Sequence, residues 1–232
     1  MEITAEKIMQ QLSAGTQVAG VIAVFGEEGY YKDKIAAALP RAVFGGAAPE
    51  DREITVFERD TDIKEVSAAV NTYPFFSGRS LVIIKDEKLW GGKDGGEKRK
   101  QQQEELAELL ADVPEHCQVL LLGEKIDKRG KLYKSLLKTA ALVECKSLKS
   151  YQLKPWLDEQ AALRGCRFDY EASQTIMEYL SVTDNAPLLL LEQEIEKLSV
   201  YAGERKIWTK NDIEQTFAAL PEVSRFALLN AI

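Results

Sequence analysis

The feature that most constrains this chain is a set of short, almost uninterrupted apolar runs separated by helix-like segments. They are "VAGVIAVFG", "RSLVIIKDE" and "CQVLLLGEK", and "ALVECKS" reads as a last strand after them. Consecutive apolar positions over so few residues suit strands buried on both faces, as in a parallel sheet covered by helices. "REITVFERD" alternates instead and reads as a further strand. The intervening segments read as helices. "ITAEKIMQQLSAG" places Ile3, Ile8 and Leu12 on one face, and "YYKDKIAAALPRAVF" invites a kink at Pro40. "DIKEVSAAVNTYPFF" starts as a helix capped by Asp62, and Pro74 should end its regular part. "EKRKQQQEELAELLADV" and the basic "KRGKLYKSLLKTA" complete the set. This alternation predicts an α/β domain over residues 1–147, with "WGGKDGGEK" as a mobile surface loop.

Beyond Ser147 the strand signal stops. "LKPWLDEQAALRG" should be a helix stopped by Gly165, and "DYEASQTIMEYLSV" one capped by Asp169. "NAPLLLLEQEIEKLSVYAG" should start with Asn185 as cap and Pro187 in its first turn, and end at Gly203. "WTKNDIEQTFAAL" pairs Thr209 with Asp212 in a variant capping box. The expectation is a small all-helical unit over residues 148–220. "VSRFALLNAI" reads as the first turns of another helix, which suggests a further domain starting in 221–232.

An α/β domain followed by a helical unit invites a nucleotide-binding reading. The phosphate loop G-x-x-x-x-G-K-[ST] should then follow the first buried strand. There the chain reads "FGEEGYYKDK", with Gly26 and Gly29 too close together and Glu27 and Glu28 where an anion would lie. The Gly-Lys pairs at Gly92-Lys93 and Gly130-Lys131 lack the upstream Gly and the following Ser or Thr. ATP hydrolysis is not expected. "LVIIKDE" resembles a Mg²⁺-holding strand end, yet without a phosphate loop Asp86 and Glu87 read as solvated acids. His116 beside Cys117 completes no metal site and reads as structural. Cys117, Cys145 and Cys166 have no paired spacing and no secretory signal precedes them, so they read as reduced thiols of a cytoplasmic protein. No apolar run approaches a membrane span. The net charge of −7 argues against a surface given over to nucleic acid, because such binding neutralises phosphates with Lys and Arg.

Two features remain. The run Lys125–Lys138 places Lys128, Arg129, Lys131 and Lys134 as candidate DNA or partner contacts. Lys128, Lys131 and Lys138 are expected on one face, and Leu132, Leu136 and Leu137 inward. In "NTYPFFSGRS", Phe75 and Phe76 sit side by side. Neighbouring side chains diverge on both helices and strands, so one packed face cannot easily take both rings.

Several stretches together resemble the delta subunit of the bacterial DNA polymerase III clamp loader. They are "FGEEGYYKDKI", "PFFSGRSLVIIKDE", "VLLLGEKIDKRGKLYKSL", "YQLKPWLDEQAALRGCRFDYEA", "LLLLEQEIEKLSVYAG" and "RFALLNAI". "KIDKRGKLYK" and "EIEKLSVYAG" are the most specific. The resemblance implies an AAA+ type α/β domain, a helical lid and a C-terminal collar beginning near Glu222. It implies a non-catalytic subunit with no cofactor that binds the ring-shaped sliding clamp (the beta subunit) and helps open it for loading onto DNA. Partner subunits would be met through the collar, and DNA only indirectly. In this family the clamp-binding element is a pair of large apolar residues before the third strand, which places Phe75 and Phe76 there, flanked by Tyr73, Pro74 and Arg79. The family pattern usually has Leu where this chain has Phe75. Two other hypotheses are an AAA+ ATPase with an unusual nucleotide site and a DNA-binding module using the Lys125–Lys138 run.

Overall fold

The computed structural model describes residues 1–16, 18–90, 96–181 and 185–217. The chain divides into two compact units, Met1–Lys146 and a second beginning at Ser147. In the first, α1 (Ala5–Ser13) leads to β1 (Val21–Phe25), α2 (Gly29–Phe44), β2 (Glu53–Phe57), α3 (Ile63–Asn71) and β3 (Ser80–Ile84). There follow α4 (Glu87–Trp90), α5 (Glu97–Ala111), β4 (Cys117–Gly123), α6 (Lys131–Thr139) and β5 (Ala140–Glu144). The five strands form one sheet in the order β2-β3-β4-β1-β5, and every neighbouring pair is parallel.

Burial follows from that order. β1 and β3 lie inside the sheet and are buried at every position. One face presents Ala23, Phe25, Val82, Ile84, Val119 and Leu121 to Val66 and Val70 of α3, Leu106 and Leu110 of α5, and Leu132 and Leu136 of α6. The alternate residues, among them Ile22, Val24, Leu81 and Leu120, point to the opposite face, where α1 and α2 pack. β2 is the edge strand, and there Ile54 and Val56 stay exposed. Asp62 caps α3 as expected, accepting from Lys64 N at 2.9 Å. Pro40 lies within α2 without ending it.

The second unit holds α7 (Leu153–Leu163), β6 (Arg167–Phe168), α8 (Tyr170–Tyr179), α9 (Leu188–Ala202), β7 (Ile207–Trp208) and α10 (Lys210–Thr216). The expected helices are joined by a short parallel pairing of β6 with β7, too brief to leave a strand pattern in the sequence. Asp169 caps α8, and Gly165 follows α7 with φ +66°. α9 differs from expectation. It begins at Leu188 with Pro187 as its cap, because the Asn185 side chain instead accepts from Lys149 Nζ at 3.0 Å. The glycine-rich loop expected after Trp90 lies largely on 91–95, outside the described residues. So do the helix expected from "VSRFALLNAI" and the collar start at 221–232.

α10 starts on the expected Thr209–Asp212 pair. The buried Asp212 carboxylate accepts from Thr209 N and Thr209 Oγ1, both at 2.9 Å, and from Arg205 Nη1 at 2.7 Å. Burial works against its ionisation, but these donors outweigh it and hold its pKa below the ordinary 3.8. A carboxylate with a depressed folded pKa stabilises the fold above its unfolded value and loses that contribution as pH falls through the folded one. Asp212→Ala is therefore expected to cost about 2 kcal/mol at pH 7. In urea unfolding of both proteins, the gap should narrow as pH drops below 3.8. A gap independent of pH would show that the carboxylate charge is not what holds the cap.

Candidate functional site

α3 ends cleanly because its last turn bonds to itself. Thr72 Oγ1 donates to Ala68 O at 2.7 Å, and Asn71 Nδ2 donates to Ser67 O at 2.8 Å. Thr72 is already extended, so the chain leaves the helix before reaching Pro74. Pro74 is buried. Tyr73 lies edge-on to His116, with ring centroids 5.1 Å apart. His116 O in turn accepts from Ser80 N at 2.8 Å, at the start of β3.

Between Pro74 and β3 the chain turns outward. Phe75 is 87% exposed and Phe76 69% exposed, and their rings meet edge to face with centroids 5.0 Å apart. The two rings therefore shield each other rather than the core. Gly78 has φ +66°, a left-handed conformation that glycine adopts without strain. Ser77 Oγ donates to Arg79 O at 2.6 Å and closes the turn, leaving Arg79 exposed. Tyr73, also exposed, borders the pair. Four of the five residues expected at this site thus reach the surface, and Pro74 fixes the turn from below.

One contributor was not foreseen. The carboxylate of Glu53, the first residue of β2, accepts from Phe75 N and, at 3.0 Å, from Phe76 N. Glu53 precedes Phe75 by 22 residues, and a Glu opening an edge strand carries no local signal of such a role.

The basic run is differently arranged from expectation. α6 begins at Lys131, so Lys128 and Arg129 lie in the loop before it and do not share its face. Leu132 and Leu136 are buried, but Leu137 is exposed, one helical step away from Leu136. Lys128 Nζ sits 2.9 Å from Glu144 Oε1, and Lys131 Nζ sits 2.7 Å from Glu104 Oε1. Arg129 Nε is 3.9 Å from Asp127. Lys134 is exposed on α6. Partial burial disfavours the Glu144 carboxylate, yet bonds from Lys128 and Lys146 pull its pKa below the usual range. Lys128 and Lys131 of the run thus face acids of the same chain.

At the end of β1, the β1–α2 turn is filled by its own side chains. Glu28 caps α2, accepting from Tyr30 N at 2.9 Å, and Lys32 Nζ donates to Gly26 O at 2.8 Å. The anion-attracting helix start thus already holds a carboxylate. Burial raises the Glu28 pKa, while the bond from Tyr30 and the Lys32 charge oppose that rise. Burial also pushes the neighbouring Cys145 thiol up to about 12, so it stays protonated. Asp86 is not a solvated acid. It is buried, and its Oδ2 accepts from Thr61 N at 2.9 Å, which ties the end of β3 to the loop before α3. No group of three or more His, Cys, Asp or Glu among the described residues is placed to hold a metal ion.

A parallel β2-β3-β4-β1-β5 sheet with helices on both faces, followed by a helical unit, is an AAA+ type fold. Residues 27–146 match the sequence model of the family described as DNA polymerase III, delta subunit, and the chain belongs to that family. A Bacillus subtilis (strain 168) relative, DNA polymerase III subunit delta, is 27% identical over 219 residues, covering 93% of this chain and 62% of its own length. The solved structure of the Bacillus subtilis DNA clamp loader delta protein (YqeN) superposes with a TM-score of 0.73 at 23% identity, over 91% of this chain and 61% of that one. A chain from the E. coli MS115-1 HORMA:CdnC:Trip13 complex shares the fold more distantly, with a TM-score of 0.52 at 14% identity over 85% of this chain and 73% of that one. The chain spans 62% of the length of the B. subtilis relative it matches.

Proposed function

We propose that this chain is the clamp-binding part of a clamp-loader delta subunit. Phe75 and Phe76 enter an apolar pocket on the sliding clamp, with Tyr73 and Arg79 bordering the contact and Pro74 anchoring the turn. The observation that carries this reading is the exposure of two adjacent aromatic rings, 87% and 69%, on a turn whose backbone is held by hydrogen bonds. Exposed aromatic anchors of this kind supply much of the energy at protein interfaces. The family membership and the relatives' names support the same partner.

In this reading residues 1–147 bind the clamp, 148–220 form the lid, and 221–232 begin a collar through which the whole protein joins the other loader subunits in the cytoplasm. The subunit is non-catalytic. It favours clamp opening only by binding the opened ring more tightly than the closed one, and the ATP-driven steps belong to its partners. Glu28 in the β1–α2 turn supports that division, since its carboxylate occupies the helix start that would receive a phosphate. The ion pairs of Lys128 and Lys131 weigh against direct DNA binding. The testing experiment is a titration of sliding clamp into the wild-type chain and into Phe75→Ala/Phe76→Ala. Equal affinities would overturn the reading.

A further inference from the structure

A pair of rings on an irregular turn recognises a pocket well only if the turn holds one shape before binding. Otherwise ordering the chain subtracts from the affinity. The turn from Tyr73 to Arg79 has no regular backbone ladder to fix it. What it has at its apex is Glu53. A single oxygen, Oε1, receives two consecutive backbone N–H groups, those of Phe75 and Phe76. Successive N–H groups converging on one anion form a small nest, and charge-assisted bonds to a carboxylate are stronger than neutral ones.

The placement of Glu53 is what gives the clasp its rigidity. It opens β2, and in the β2–β3 ladder it lies directly opposite Ser80, where the turn enters β3. One side of the turn is therefore held by the sheet through Ser80, and its apex is held by the same rung of the sheet through the Glu53 side chain. The backbone of the pair is thus fixed through its two N–H groups by one carboxylate oxygen.

We propose that Glu53 is a positioning residue that presents Phe75 and Phe76 to the clamp in their binding geometry. The proposal rests on the clamp-binding reading of the pair and adds to it the device that holds the pair ready. Glu53 acts through the backbone, so its loss acts on the shape of the turn and leaves both anchors in place. The clasp lies at the exposed edge of the domain, so it contributes little to global stability, as exposed charged contacts generally do.

The experiment uses the 232-residue chain as wild type, Glu53→Ala and Glu53→Gln. Three quantities are read: the melting temperature, hydrogen exchange at the Phe75 and Phe76 amides, and affinity for the sliding clamp. In Glu53→Ala the two amides should exchange at least about tenfold faster, the melt should not move, and clamp affinity should fall by about tenfold. In Glu53→Gln the side-chain carbonyl still accepts from both N–H groups, so affinity should return to within about threefold of wild type. Adding Glu53→Ala to Phe75→Ala/Phe76→Ala should change clamp affinity no further, because there are no rings left to present.

Unchanged amide exchange in Glu53→Ala overturns the clasp. Faster exchange with unchanged affinity overturns its role in presentation. Equal losses in the Ala and Gln variants, persisting without the two rings, would mean that the Glu53 charge meets the clamp directly, which also overturns the proposal. A double Phe variant that binds the clamp like wild type shows that the clamp reading has failed. If that variant loses binding and Glu53→Ala does not, the failure is the clasp's alone.

Discussion

Gly26→Ala is expected to destabilise the first unit by about 4 kcal/mol and to lower its melting temperature by roughly 10 °C or more. Gly26 follows β1 with φ +131°, a conformation that side-chain-bearing residues rarely adopt. A methyl group there would lie 2.0 Å from Cys145 O and 2.7 Å from Cys145 C, both backbone atoms. The neighbours cannot yield easily. Cys145 N donates to Phe25 O at 2.7 Å, and Cys145 O accepts from Glu28 N at 3.1 Å. To admit the methyl group, the chain must open the β1–β5 pairing at Phe25 and Glu144 and lose both bonds. A circular dichroism melt of the variant decides the matter, and a shift of only a degree or two would mean that the turn rearranges without cost. The turn is pressed against the end of β5 and stitched by Lys32 to Gly26 O, so strain introduced at Gly26 is passed to both.

Much of this architecture was legible in the sequence because it depends on short-range patterns. β1, β3 and β4 are apolar at nearly every position, and only burial on both faces makes that pattern favourable. Asp62, Asp169 and the Thr209–Asp212 pair mark helix starts through their own side-chain bonds, which act over two or three residues. The departures arise where long-range partners compete with local rules. Asn185 has the chemistry of a cap, but Lys149, 36 residues away, takes its oxygen. Asp86 looks like a solvated strand-end acid, yet Thr61 N, 25 residues earlier, draws it into the interior. The candidate site divides in the same way. Two adjacent phenylalanines before a Ser-Gly turn are visible as an anomaly in the sequence. The carboxylate that holds their backbone arrives from another strand and becomes visible only when β2 pairs with β3.

Phe75→Ala/Phe76→Ala is expected to lower sliding-clamp affinity by about 3 kcal/mol, roughly a hundredfold or more, while leaving the melting temperature within about two degrees of wild type. The conjunction is what discriminates. Truncating a buried phenylalanine costs about 3–5 kcal/mol of folding stability through lost transfer energy and a residual cavity. At 87% and 69% exposure neither ring has much burial to lose, and the two meet each other edge to face with centroids 5.0 Å apart. Removing both therefore takes away apolar surface that the unbound protein already presents to water. The affinity they provide arises only when a partner covers them, each ring having on the order of 150–250 Å² available to bury. Phe75→Leu should keep most of the binding, because a pocket that reads apolar volume accepts a smaller branched side chain at a cost of about 1 kcal/mol. A large fall in the melting temperature of the double variant would instead place the rings in the domain's own packing, and the clamp assignment would lose the observation on which it stands.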